Sequence, residues 1–185
     1  SLWTVEGDPM EGALLTLAGK AGHDIDATRR AWTRTDVIPF DARHRYMAVL
    51  CHDHEHRAVV AVKGAPERIL SMCTRQRAPG GEAGPLDAEA WQDRATEIAG
   101  RGQRVLAVAV RSMPPEQTVL EASDVERDLT FIGLVGLIDP PRPEAIESVQ
   151  ECRRAGIRVK MITGDHAATA AAIGTQIGLE SPDRV

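Results

Sequence analysis

The stretch Asp139-Pro140-Pro141-Arg142-Pro143 constrains this chain more than any other. Proline fixes its own φ and lacks an N–H, so three prolines in four positions fit neither a helix interior nor an inner strand. The stretch is expected to act as a stiff joint between two bodies. Beyond it, Glu144 to Ala155 has helical spacing, Ile157 to Ile162 reads as a strand and Ala167 to Ile177 as an Ala-rich helix. That alternation is the pattern of a doubly wound α/β sheet.

Before the joint the pattern is different. A helix is expected from Glu11 to Lys20, with Asp8-Pro9 as its cap and first turn. Strands are read at Thr35 to Phe40, Tyr46 to Cys51 and Ala58 to Val62, the last two as a hairpin. A helix runs from Glu67 to Cys73, "APGGEAGP" is a loop, Ala88 to Gly100 is an amphipathic helix, and Val105 to Val110 and Phe131 to Ile138 are strands. The expected fold class is therefore α+β: an antiparallel-sheet domain flanked by helices over 1–138, a hinge at 139–142, and an incomplete α/β piece over 143–185.

Charge and length narrow the function. A net charge of -5 lacks the basic excess that tracking nucleic acid needs. The longest apolar run, Phe131 to Ile138, is far short of the roughly 20 residues that span a bilayer. Cys51, Cys73 and Cys152 form no CxxC pair and are read as reduced thiols in a cytosolic setting. The chain starts on Ser and trails off in a polar turn, so both ends are expected to be cuts in a longer protein.

Neither GxxxxGK[ST] nor GxGxxG occurs, so a bound nucleotide must be held without either common phosphate cradle. Three places offer chemistry. Thr163-Gly164-Asp165 follows the Ile157 to Ile162 strand, at the strand end where α/β sheets bind ligands; the plainer reading makes Asp165 a cap for the helix from Ala167. Lys63, one of only three lysines, ends a strand just before Gly64, where a ligand can approach the backbone; the plainer reading is a lysine reaching solvent. Phe40 sits beside Arg43, His44 and Arg45, where a ring can stack a base while cations meet phosphates; the plainer reading is core packing. His52, His54 and His56 alternate as a metal-binding strand face would, but in a segment read as a hairpin turn.

In order along the chain, "EGDPMEGALL", "VIPFDARHRYMAVL", "VKGAPERIL", "GQRVLAVAVR" and the stretch from "FIGLVGLIDPPRP" to "MITGDHAATAAAIGTQIGL" cover Glu6 to Leu179. Together they resemble the cytoplasmic nucleotide-binding (N) domain, with part of the phosphorylation (P) domain, of P-type (E1-E2) cation-transporting ATPases of the calcium, sodium/potassium and proton-pump branch. The resemblance implies that Phe40 stacks on adenine, Glu11 meets the polar edge of the base, Lys63 and Gly64 line the inner end of the pocket, and Arg104 reaches towards the phosphates. It implies a hinge at Asp139, Pro140, Pro141 and Arg142, and places Thr163, Gly164 and Asp165 near the γ-phosphate and Mg²⁺. Met10 stands where the family often has Thr, and Ala42 where calcium pumps often carry Arg; Arg43 or Arg45 is then the candidate substitute. The second piece would be haloacid dehalogenase-like.

The resemblance further implies a parent pump with actuator, phosphorylation and transmembrane domains, working through an aspartyl phosphate at the cytoplasmic face of a membrane. The DKTGT and GDGxND motifs of that chemistry do not occur in these residues. The expected activity of the piece is ATP binding without hydrolysis, as a soluble fragment with no direct membrane contact, no nucleic-acid partner and no metal ligands of its own. Two other readings stand beside it: a stand-alone nucleotide-binding or regulatory module, and a haloacid dehalogenase-type phosphatase, which needs a DxD nucleophile motif on an earlier strand where none is read.

Overall fold

Along Tyr46–Asp53 and Ala58–Gly64 buried and half-exposed residues alternate, so each strand presents one face to a core and the other to a partly open surface. In the computed structural model, which describes residues 8–138, 141–163 and 167–179, these are strands β2 and β3 of a seven-stranded sheet. The others are β1 (Trp32–Asp41), β4 (Cys73–Arg77), β5 (Ala83–Pro85), β6 (Arg104–Met113) and β7 (Leu129–Leu137), in the order β1-β2-β3-β6-β7-β4-β5. The pairs β1–β2, β2–β3, β3–β6 and β4–β5 are antiparallel and β4–β7 is parallel. Helices are α1 (Pro9–Lys20), α2 (Ile25–Ala31), α3 (Pro66–Met72), α4 (Ala88–Gly100), α5 (Pro143–Arg154) and α6 (Ala167–Gln176). The α+β class read from the sequence is the class observed.

The chain divides into two compact units. The first comprises Ser1–Leu86 and Ala107–Gly133, the second Asp87–Leu106 and Leu134–Val185. In the first, Tyr46, Ala48, Leu50, Val60, Val62, Ala107 and Ala109 bury one sheet face, and Ile69, Leu70 and Met72 of α3 are buried as well. Burial pushes the Cys73 thiol up to about 12, so at neutral pH it is an inert apolar group. In the second unit Ala95 and Ala99 of α4 and Ala170 of α6 are buried, and Thr169 Oγ1 donates to the Gln103 carbonyl at 3.2 Å.

Local chemistry sets the boundaries. Asp8 caps α1 by accepting from the Met10 N–H at 2.8 Å, with Pro9 at the first position. Asp87 does the same for α4 through the Ala90 N–H at 3.1 Å. Three elements escape the sequence reading: α2, and the short strands β4 and β5. Their segments carry no apolar periodicity; the pairing of β4 with distant β7, of β5 with β4, and a local cap at Asp24 decide them instead.

One expected strand is absent. Residues 157–163 form no strand, and Ile157 and Ile162 are 59% and 98% exposed. A strand exists only with a hydrogen-bonded neighbour, and no strand of the seven-stranded sheet pairs with this segment. Of the hinge residues, Pro141 and Arg142 are described: Arg142 is the N-cap of α5, with its carbonyl accepting from the Ala145 N–H at 3.0 Å. Asp139 and Pro140 lie outside the described residues.

Asp36 ties the edge strand to a distant segment. Its carboxylate accepts from the Leu120 N–H at 2.7 Å and the Val37 N–H at 2.8 Å. These bonds, the one from Leu120 foremost, hold the Asp36 carboxyl below the ordinary value of roughly 3.9. A folded-state pKa lowered in this way contributes stability above the unfolded value, and that contribution disappears as pH falls through the folded value. Asp36→Asn should therefore flatten the acid limb of the stability–pH curve below about pH 4, measured by urea unfolding at stepped pH; an unchanged limb would show that the carboxylate contributes nothing there.

Candidate functional site

The antiparallel registers bring the sequence-predicted residues of the first unit to one end of the sheet. Asp41 pairs with Tyr46, Tyr46 with Gly64 and Gly64 with Ala107, forming one row across β1, β2, β3 and β6. The neighbouring row is Met47, Lys63 and Val108. Because side chains alternate between faces, the Tyr46 row belongs to the buried face and the Lys63 row to the half-exposed one. Lys63 thus ends a partly open surface made by Met47, Val49, Ala61, Val108 and Val110.

Gly64 is fixed by crowding. A Cβ on it would stand 2.3 Å from the Arg45 carbonyl oxygen and 2.8 Å from the Tyr46 Cα, both backbone atoms. The Arg45 carbonyl also accepts the Ala65 N–H at 3.0 Å, which fastens the start of α3 to the β1–β2 turn. Arg45 itself has φ 59°, so the turn closes through the left-handed region.

Phe40 is 64% exposed, which excludes core packing for it. A ring left in water at a strand end, next to a cationic turn, is available for stacking. The nearby cations are each met by a carboxylate. Lys63 Nζ donates to Glu11 Oε1 of α1, and Arg45 Nη1 donates to Glu67 Oε1 of α3 at 2.5 Å. Arg43 turns back on its own turn, where Asp41 accepts from its N–H at 2.7 Å, its Nε at 3.2 Å and its Nη2 at 2.9 Å. The Arg43 side chain foremost, then its N–H, holds the Asp41 carboxyl below its ordinary range. Of the two candidates to replace the cation missing at Ala42, Arg43 is therefore committed within the turn, while Arg45 points at another element. The Arg45–Glu67 pair is half-exposed on both sides and contributes about 0–1 kcal/mol, so a polyphosphate can displace it; Lys63 is more covered, but its partner Glu11 is half-exposed and can turn away.

Arg104 opens β6, is exposed and belongs to the second unit; Thr163 is half-buried, also in the second unit. Gly164 and Asp165 lie outside the described residues. A cleft of about 260 Å³ in the second unit is lined by Val149, Arg153, Ile157, Arg158 and Leu179 among others, and none of the sequence-predicted nucleotide residues takes part in it. Glu67 and Met47 stand beside the sequence-predicted residues and were missed by sequence reading. Met47 is placed there by the register, which pairs it with Lys63, and Glu67 by its ion pair with Arg45 from α3; no short motif carries either.

The histidines do not converge. His52 Nδ1 bonds the Thr35 hydroxyl at 2.9 Å and its Nε2 the Pro115 carbonyl at 3.1 Å, while His54 Nε2 bonds the Arg30 carbonyl at 3.2 Å. No cluster of three or more potential metal ligands occurs among the described residues. The bare DxD spacing does occur, at Asp24-Ile25-Asp26, but off any strand: Asp24 is the N-cap of α2, accepting from the Ala27 N–H at 2.9 Å. No helix among the described residues is long and apolar enough to cross a membrane.

Residues 1–144 match the family model described as "P-type ATPase, cytoplasmic domain N". The chain is 43% identical over 177 residues to the "Cation-transporting ATPase pma1" of Synechocystis sp., covering 96% of this chain and 19% of that protein. It is 35% identical over 179 residues to the "Calcium-transporting ATPase" of Bacillus subtilis, with 96% and 20% covered. To the "Sodium/potassium-transporting ATPase subunit alpha-2" of Gallus gallus it is 37% identical over 188 residues, with 95% and 18% covered. The chain thus spans about a fifth of the length of the curated relatives it matches.

Proposed function

Because this chain belongs to the P-type ATPase family through its cytoplasmic N domain, we propose that it binds ATP for a cation-transporting pump, at the sheet end formed by Phe40, Arg45, Lys63 and Gly64. The observation that carries this reading is an exposed Phe40 at the same end of the sheet as Lys63, whose ammonium is paired with the half-exposed carboxylate of Glu11. Adenine stacks on the Phe40 ring, the open surface beside Lys63 takes the sugar and base edge, and Lys63 meets the nucleotide as a point charge. On release from Lys63, Glu11 is left free to accept from a polar edge of the base. The relatives' printed names support cation transport by the parent and leave the ion open.

The finer roles rest on family relationship alone. Arg104 reaches for phosphates; Thr163, Gly164 and Asp165 serve the γ-phosphate; 1–138 is the N domain, Asp139 to Arg142 the hinge, and 143–185 part of a haloacid dehalogenase-like P domain. In that setting 157–162 pairs as the strand its sequence resembles, against a strand supplied by the parent. Phosphoryl transfer needs an in-line nucleophile, and the DKTGT aspartate of the family is not in these residues. Mg²⁺ enters with the nucleotide, where it neutralises phosphate charge.

Calorimetric titration with ATP tests the reading. The wild-type piece should bind ATP and release no inorganic phosphate, and Lys63→Ala should weaken binding by about 1 kcal/mol, because the lysine exchanges one anionic partner for another. Unchanged affinity in Lys63→Ala would refute its contact with the nucleotide, and steady phosphate release would refute the inactive state of the piece.

A further inference from the structure

Arg45 is held at three points. Its N–H donates to the Asp41 carbonyl at 2.7 Å, its carbonyl accepts from Ala65, and Gly64 packs directly beneath that carbonyl. Only its side chain is free to choose a partner, and that partner is Glu67 at 2.5 Å. The choice is built into the chain, since Ala65 both bonds Arg45 and starts the helix that carries Glu67. The pair remains open to water, at 53% and 48% side-chain exposure, so either member can turn away without losing a buried contact. Arg43 offers no substitute, being tied to Asp41.

A carboxylate and a phosphate oxygen compete for the same guanidinium donors. We propose that Glu67 is a specificity-determining residue of the nucleotide site: it occupies Arg45 when no phosphate chain is present, and a phosphate must displace it. Glu67 thereby lowers affinity for the triphosphate while leaving adenosine unaffected. This inference rests on the reading of Phe40, Lys63 and Arg45 as the nucleotide site.

The test compares ATP and adenosine binding to the wild type, Glu67→Gln, Arg45→Gln and the double variant by calorimetry. Glu67→Gln should bind ATP about two- to fivefold more tightly, the worth of one exposed ion pair, and adenosine unchanged. In the Arg45→Gln background the same change should have no effect. Glu67→Ser provides a second variant that also removes the charge and should give the same gain. Equal or weaker ATP binding by Glu67→Gln, or an equal gain with Arg45 absent, would overturn the role of Glu67. Phe40→Ala separates the two ideas: if it weakens ATP while Glu67→Gln changes nothing, the site stands and the competition falls; if it changes nothing, the site itself falls.

Discussion

Gly64→Ala is expected to lower the stability of the first unit by about 3 kcal/mol, the upper part of the range for overpacking. The reason is that the added methyl meets the backbone of the neighbouring strand, at 2.3 Å from the Arg45 carbonyl oxygen and 2.8 Å from the Tyr46 Cα. A flexible side chain could swing away from such a clash; a paired strand cannot. Relief requires β2 and β3 to separate at Tyr46–Gly64, which breaks the last pair of their register, next to Met47–Lys63, or the Arg45 turn to shift, which frees Ala65 from its carbonyl. Urea unfolding measures the effect, and an unchanged midpoint would mean that the close approach is not present in solution.

Phe40→Ala should act oppositely, sparing the fold and damaging binding. Its ring is mostly in water, so truncation removes little packing and should leave the unfolding midpoint within about 0.5 kcal/mol of the parent. ATP affinity should fall by about 1–3 kcal/mol, the worth of a base stacked on an aromatic ring. Because stacking involves the base and not the phosphates, adenosine should lose the same amount. A loss seen with ATP and not with adenosine would place Phe40 away from the base.

The sheet was legible where short apolar runs are bounded by polar turns. Tyr46 to Cys51 and Ala58 to Val62 announce β2 and β3 in that way, and the Asp8-Pro9 cap and the apolar face of Ala88 to Gly100 mark α1 and α4. The strand expected at Ile157 to Ile162 has the right composition, yet composition supplies only a willingness to pair; the pairing partner comes from elsewhere in a chain. The site was legible in part for a similar reason. Phe40, Lys63 and Gly64 stand out as residue types at strand ends, whereas the ion pairs joining Lys63 to Glu11 and Arg45 to Glu67 depend on how α1 and α3 meet the sheet. Long-range geometry of that sort leaves no mark at short spacing. The DxD spacing at Asp24 and Asp26 shows the converse, a pattern whose meaning vanishes once it proves to be a helix cap.

The central claim is that ATP binds at the Phe40 end of the sheet, and amide chemical-shift mapping during an ATP titration tests it most directly. Progressive, saturable shifts are expected at Phe40, from Asp41 to Met47 and at Lys63 to Ala65. Saturable shifts confined to residues remote from Phe40 and Lys63, or no saturable shifts at all, would contradict it.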